Sequence, residues 1–202
     1  MNLLQRQNMI ERHRDSVDYY GYAPESLFWE SRALQTLLFK VLAEIGVSAG
    51  DSLLDVGCGF GDLASWFRDA GIEVNYTGID LSSDILAVGH SMNPELKLLP
   101  GELFDFDWPA RSFDWVLLSG TLNWELGDRG AYTRRAIRRM FDLCRYGVAF
   151  NMNNRNVCDL ATLGEMKADD PKEILGFCLA ITPNCRCRSD YRADDFTIYM
   201  RR

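Results

Sequence analysis

Two carboxylates and a group of closely spaced glycines surround the end of one short apolar segment. The segment covers residues 52–56 and includes Asp55; the loop Gly57–Gly61 follows, and Asp62 comes directly after it. Glycines placed after a buried strand let the backbone turn tightly and let a ligand approach without meeting a β-carbon. The pattern therefore predicts a ligand-binding loop between a strand and a helix.

The spacing of the glycines and the acids indicates which ligand this loop takes. A dinucleotide-binding loop reads G-x-G-x-x-G, whereas this one reads G-x-G-x-G and has Asp62 where the third glycine belongs. Carboxylates at Asp55 and Asp62 would repel a pyrophosphate. They suit a ligand with an ammonium group and a sulfonium, so the loop favours S-adenosylmethionine over NAD.

Three later segments place further polar groups where such a ligand would need them. Asp80 closes an apolar segment and can accept hydrogen bonds from both ribose hydroxyls. Glu102 can accept from an adenine amino group, beside the backbone N–H of Leu103. Ser119 ends the most hydrophobic segment, beneath the expected reactive centre. Taken singly, Asp55 also suits a loop cap and Asp80 the N-cap region of a following helix.

Helix and strand signals alternate along the chain, which predicts an α/β sheet with crossover helices. We expect strands near residues 52–57, 74–80, 96–99, 113–119 and 147–152, and a terminal hairpin of 186–191 and 196–202 with its link at 192–195. Amphipathic helices are expected over 3–18 and 28–45. We interpret residues 1–46 as a helical extension or lid, part of the same domain as the main unit at 47–202.

The charge and the distribution of apolar residues indicate which kinds of partner and location to expect. The 202-residue chain has a formal net charge of −7, so we expect no nucleic-acid partner, because Lys and Arg contacts dominate phosphate binding. No segment has the roughly 18 consecutive apolar residues of a membrane helix, and no export signal is visible. We therefore expect a cytoplasmic protein whose six cysteines are reduced, with no metal site and no membrane association. Nothing in the sequence indicates an oligomeric state.

The loop D-V-G-C-G-F-G resembles the D-x-G-x-G-x-G loop of class I methyltransferases, which use S-adenosylmethionine. The resemblance covers about Ser52–Met152 and is nearest to small bacterial members whose substrates are unassigned. It implies a three-layer, doubly wound α/β fold. The seven-stranded sheet would be mostly parallel, with a C-terminal antiparallel hairpin.

The resemblance also implies a set of cofactor contacts. Asp55 and the glycine loop would hold the methionine end, Asp80 the ribose, and Leu81 the adenine face. Glu102 and Leu103 would contact the adenine edge, and Ser119 and Gly120 would line the floor under the sulfonium. The full predicted set is Trp29, Asp55, Gly57, Cys58, Gly59, Gly61, Asp80, Leu81, Glu102, Leu103, Ser119 and Gly120.

Methyl transfer from a sulfonium needs mainly alignment, and needs a base only if the acceptor must lose a proton. The substrate-facing candidates are Asn123, Asn151 and Tyr191, at strand ends and in the hairpin. His13 and His90 fall in helical segments. The leading hypothesis is methylation of a small molecule at O or N, with S-adenosylhomocysteine as the other product. The alternatives are an RNA or protein methyltransferase, and a regulatory module that binds S-adenosylmethionine without catalysis.

Overall fold

A seven-stranded sheet organises the chain in the computed structural model, which describes residues 1–159 and 163–202. The strands are β1 (Ser52–Val56), β2 (Asn75–Asp80), β3 (Leu98–Pro100), β4 (Phe113–Leu118), β5 (Cys144–Asn153), β6 (Cys185–Arg188) and β7 (Asp195–Arg201). Their order is β3-β2-β1-β4-β5-β7-β6. The first five strands are parallel, whereas β7 runs antiparallel to both β5 and β6. The predicted fold class is confirmed.

Within the described residues, six α-helices accompany the sheet, and side-chain caps fix several of their starts. They are α1 (Leu3–Tyr20), α2 (Arg32–Ala43), α3 (Asp62–Asp69), α4 (Ser83–Met92), α5 (Ala131–Leu143) and α6 (Pro171–Leu179), with short 3₁₀ helices at Pro24–Leu27 and Thr121–Asn123. The α2 helix begins four residues later than predicted. Phe28 has φ 62°, outside the helical range, and the Ser31 side chain accepts from the Leu34 N–H as the cap.

The central strands are apolar on both faces, as expected for a sheet covered on both sides. Leu54 and Val116 face the cluster built with α5 and α6, whereas Leu53 and Leu117 face the cluster built with α2 and α3. This packing gives three layers and fixes the carboxyl ends of β1, β2 and β4 at one edge of the sheet.

The N-terminal helices differ in how they join this core. The α2 helix contributes Val41 and Leu42, both almost completely buried, to the core on one face of the sheet. The α1 helix contributes less, with Val17 packed against Phe60 and Ile85 near the glycine loop. Among the residues that the structure describes, no helix is long and apolar enough to cross a membrane.

Candidate cofactor and acceptor site

A cavity of about 270 Å³ opens at the carboxyl ends of the central strands. Crevices at this edge, where the strand order reverses, are where open α/β sheets bind ligands. All the predicted cofactor residues except Gly61 line it: Trp29, Asp55, Gly57, Cys58, Gly59, Asp80, Leu81, Glu102, Leu103, Ser119 and Gly120. Gly61 lies outside the wall. It is the N-cap of α3, with φ 82°, and a β-carbon there would lie 2.9 Å from Leu96.

The loop after β1 folds back over β2. The N–H groups of Gly57 and Cys58 both donate to the Ile79 carbonyl, at 2.8 and 2.9 Å. Gly57 has φ 73°, and a β-carbon there would lie 1.9 Å from Thr121 Oγ1. The loop after β4 can therefore pack directly on this loop only because residue 57 is glycine.

Asp80 is held by backbone donors at the mouth of this loop. Its Oδ2 accepts from the Gly59 N–H at 3.0 Å, and its Oδ1 accepts from the Ser82 N–H at 2.9 Å. An ionised carboxylate has about four lone-pair sites, so each oxygen retains acceptor capacity. This arrangement fits two neighbouring hydroxyls, as on a ribose.

Asp55 is the most buried acid of the cavity wall, with 4% of its surface exposed. The Tyr76 hydroxyl donates to its Oδ2 at 2.6 Å. Burial raises the pKa of Asp55 to about 7, against the lowering effect of the Tyr76 hydrogen bond. A cationic group bound beside this carboxylate would favour its ionised form.

Asp62 does not have the role that the sequence suggested. It is buried behind the loop and does not line the cavity. It accepts from Arg32 at 2.6 Å, from Tyr22 at 2.7 Å and from Gln35 at 3.1 Å. Because Arg32 compensates its charge, the electrostatic argument against a pyrophosphate rests on Asp55 and Asp80 rather than on Asp62.

Glu102 lines the far end of the cavity, where the adenine is expected. Its Oε2 accepts from the Tyr132 hydroxyl at 2.7 Å, and its Oε1 lies 3.8 Å from Arg6. Leu103, next to it, is almost fully buried and offers an apolar surface. Glu102 therefore already has protein partners, and a ligand would share this carboxylate with Tyr132.

Residues 53–147 match a family described as a methyltransferase domain. The matched segment, a little under half of the chain, includes the glycine loop and Asp80, and it is similar in sequence to methyltransferase domains. The curated relatives include a malonyl-[acyl-carrier protein] O-methyltransferase of Pseudescherichia vulneris, 34% identical over 105 residues, which are 48% of this chain and 41% of the relative. Another is a demethylmenaquinone methyltransferase of Staphylococcus aureus, 34% identical over 83 residues, which are 39% of this chain and 34% of the relative. The matches thus span less than half of each relative.

Solved structures share the fold of this methyltransferase domain. The structure of DhpI in complex with S-adenosylhomocysteine has a TM-score of 0.62 at 18% identity, and the match covers 96% of this chain and 95% of that one. At this identity the likeness concerns the fold. The N-terminal helices fall within a match of this extent.

The three substrate-facing candidates occupy different places. Asn123 lines the cavity, and its Oδ1 accepts from the Asn153 N–H at 3.0 Å. Asn151 is fully buried behind the wall, and its Oδ1 accepts from the Gly120 N–H at 2.7 Å. Tyr191 also lies behind the wall, where its hydroxyl donates to Asp195. Asn151 and Tyr191 therefore support groups that line the cavity and do not line it themselves.

Asp195 and His13 line the cavity, although the sequence did not select them as candidates. Asp195 is 7% exposed at the first position of β7. His13, on α1, has Nδ1 2.8 Å from the Met9 carbonyl, so Nδ1 carries the proton, because a carbonyl can only accept. Its ring packs edge-on against Phe28. The only sequence signal for Asp195 was its position in the hairpin after Tyr191.

Among the described parts of the chain, no group of three or more His, Cys, Asp or Glu side chains is arranged to hold a metal ion. The His90 ring nitrogen Nε2 lies 3.4 Å from the Leu98 carbonyl, and His90 does not line the cavity.

Proposed function

We propose that this chain transfers a methyl group from S-adenosylmethionine to an oxygen or nitrogen of a small-molecule acceptor. One observation carries the proposal: Asp55, the glycine loop and Asp80 converge on one cavity at the carboxyl ends of β1 and β2. The wall they form is acidic, open to backbone contact, and able to accept from a pair of hydroxyls. A cationic amino-acid adenosine derivative fits all three properties.

Different residues of the cavity wall would contact different parts of the cofactor. Asp55 and the N–H groups of the loop would bind the methionine end, and Asp80 the ribose. Leu81 and Leu103 would enclose the adenine, with Glu102 at its edge. Trp29, Ser119 and Gly120 would surround the sulfur end, where Asn151 fixes the Gly120 backbone. S-adenosylmethionine supplies an activated methyl group on a sulfonium, so the protein mainly aligns and desolvates the acceptor.

The size of the cavity supports a small acceptor. Ligand pockets commonly have volumes of about 300–1,000 Å³, and this one, at about 270 Å³, must hold both cofactor and acceptor. The names of the curated relatives describe action on malonyl-[acyl-carrier protein] and on demethylmenaquinone. The formal net charge of −7 weighs against an RNA acceptor.

Titration calorimetry with S-adenosylmethionine and S-adenosylhomocysteine tests the proposal, followed by transfer of labelled methyl groups to a small-molecule library. We expect both ligands to bind and one or more acceptors to become labelled. Folded protein that binds neither ligand would overturn the proposal. Binding without transfer to any small molecule would favour a regulatory module. Labelling of RNA or protein, with an affinity that falls linearly in log–log plots against salt, would favour a macromolecular substrate.

A further inference from the structure

Beyond Gly120 the cavity continues into a space with an aromatic wall. The Trp29 ring lies against Gly120, where a β-carbon would meet it at 3.0 Å. Phe28 and Trp124 pack edge-on, with ring centroids 5.3 Å apart. All three aromatic side chains line the cavity. We call this space, lined by Phe28, Trp29, Trp124 and Asp195, the acceptor chamber.

One oxygen of the Asp195 carboxylate already accepts a hydrogen bond within the chamber. The Tyr191 hydroxyl donates to Oδ1, and Thr197 Oγ1 lies 2.8 Å from the Tyr191 oxygen. Because the phenolic proton goes to Asp195, Thr197 donates to Tyr191, and the chain of hydrogen bonds orients the carboxylate. No donor among the described residues reaches Oδ2. With respect to the described residues, this oxygen keeps its capacity to accept a hydrogen bond from a ligand in the chamber.

The neighbouring charges are already paired, which sets Asp195 apart. Arg192 donates to Asp194 at 2.8 Å and to Glu30 at 2.9 Å. Lys167, which also lines the cavity, pairs with Asp169. Within the described chain, no cation forms an ion pair with Asp195. Burial raises the pKa of Asp195 to about 7, against the lowering effect of the Tyr191 hydrogen bond.

The chamber separates this carboxylate from the methyl-donor end by a suitable distance. Gly120 follows β4 and Asp195 begins β7, and β5 lies between these strands. Two strand spacings amount to about 10 Å, so a ligand lying across the end of β5 would span from Gly120 to Asp195 with about the length of one substituted ring. Arg192 links Glu30, next to Trp29, to Asp194, next to Asp195. The aromatic wall and the carboxylate therefore face the same space.

We propose that the acceptor is an aromatic hydroxyl compound, and that Asp195 Oδ2 binds its hydroxyl group and removes the proton. The inference rests on the proposed function and deepens it. The phenolic proton passes to Asp195 and the phenolic oxygen bonds to the methyl carbon. The electron pair of the broken carbon–sulfur bond stays on sulfur.

Acidity and shape together select this class of acceptor. A phenol has a pKa near 10, as in tyrosine, within reach of a carboxylate whose pKa is raised to about 7. The pKa of an aliphatic hydroxyl is closer to that of water, about 15.7, so this carboxylate could not remove its proton effectively. Flat rings also pack well against the edges and faces of Phe28, Trp29 and Trp124.

The test compares two probes of similar shape on protein saturated with S-adenosylhomocysteine. 4-Methylphenol can donate a proton to Asp195, whereas its methyl ether, 4-methoxytoluene, cannot. By calorimetry at pH 8, we expect wild-type protein to prefer the phenol about tenfold or more, as for a hydrogen bond to a charged group. Asp195→Ala should reduce this preference to less than about threefold.

Asp190→Ala is the matched control, because Asp190 precedes β7 in the same hairpin but lies outside the cavity wall, exposed and paired with Arg188. It should keep the preference for the phenol. If Asp195→Ala does not fold, Asp195→Asn takes its place. In that variant we expect the preference for the phenol over its methyl ether to fall by at least about fivefold. With S-adenosylmethionine, Asp195→Asn should slow methylation of 4-methylphenol by about 100-fold or more while the protein still binds S-adenosylhomocysteine.

The outcomes separate this inference from the function on which it rests. Wild-type protein that fails to bind S-adenosylhomocysteine overturns the proposed function. Binding of S-adenosylhomocysteine without a preference for the phenol overturns the aromatic hydroxyl assignment alone. A preference that survives in Asp195→Ala, or that disappears equally in Asp190→Ala, overturns the role of Asp195.

Discussion

The two halves of the cavity are built in different ways. In the cofactor half, backbone groups of neighbouring strands hold the ligand-facing atoms: Gly59 and Ser82 fix Asp80, and Ile79 fixes the glycine loop. In the acceptor half, side chains from distant parts of the chain hold one another, as Arg192 holds Glu30 and Asp194. A backbone-built half tolerates few changes, whereas a half built from side chains can change its specificity without losing the fold.

Gly57→Ala tests the backbone-built cofactor half most directly, and we expect it to have the largest effect of the variants considered. The substitution forces a side chain into a left-handed conformation and places a β-carbon 1.9 Å from Thr121 Oγ1. Left-handed strain of about 1–2 kcal/mol and overpacking of about 1–3 kcal/mol together predict a loss of about 2–5 kcal/mol in the free energy of unfolding. Urea denaturation followed by circular dichroism measures it.

Gly71→Ala is the control for the conformational part. Gly71 has φ 74°, close to that of Gly57, but a β-carbon there would meet nothing within 4 Å. We expect a loss of only about 1–2 kcal/mol from the conformation itself. Equal losses in the two variants would show that the packing between the loops after β1 and β4 contributes nothing.

Asp80→Ala tests the cofactor half by removing the carboxylate at the end of β2. Removing the carboxylate should weaken binding of S-adenosylhomocysteine by about 1–3 kcal/mol, or about five- to 150-fold. Calorimetry measures the change. Asp84→Ala, on the exposed side of α4 beside Arg14, should leave the affinity unchanged. An unchanged affinity in Asp80→Ala would mean that the ribose binds elsewhere.

The difference between the halves also explains what the sequence could predict. In the cofactor half, Asp55 and Asp80 lie within a few residues of their own strand ends, and a parallel sheet brings such ends together whatever the side chains do elsewhere. Helix and strand order, the parallel core and the terminal hairpin follow from local patterns in the same way. These features needed no knowledge of long-range side-chain contacts.

The acceptor half depends on details that no local pattern contains. Asn151 follows an apolar segment, but β5 continues through Asn153, and the side chain of Asn151 lies behind the wall. Asp195 was assigned to the hairpin link, whereas it is the first residue of β7 and pairs with Asn153. A shift of one residue in a strand reverses the face on which a side chain lies. Because the start of β7 was predicted one residue too late, the sequence did not indicate that the Asp195 carboxylate lines the chamber.

Tyr76→Phe should have the smallest effect and sharpens the comparison within the cofactor half. Tyr76 donates to Asp55, and the hydrogen bond lowers the pKa of Asp55 from the higher value that burial alone would give. The ammonium group of the ligand needs the ionised carboxylate, so affinity for S-adenosylhomocysteine should rise with pH through about 7 in wild-type protein. Without the Tyr76 hydroxyl, the rise should move to higher pH.

At pH 7 the variant should bind S-adenosylhomocysteine about two- to tenfold more weakly, as for one lost hydrogen bond. Calorimetry between pH 5.5 and about 8.5 would follow both effects, the upper limit being set by the pKa of about 8 of an α-amino group. Tyr146→Phe, at an exposed position on β5, is the control and should leave the pH profile unchanged. If Tyr76→Phe weakens binding equally at every pH, the tyrosine only shapes the cavity. A shifted midpoint would instead show that Tyr76 acts through the charge of Asp55.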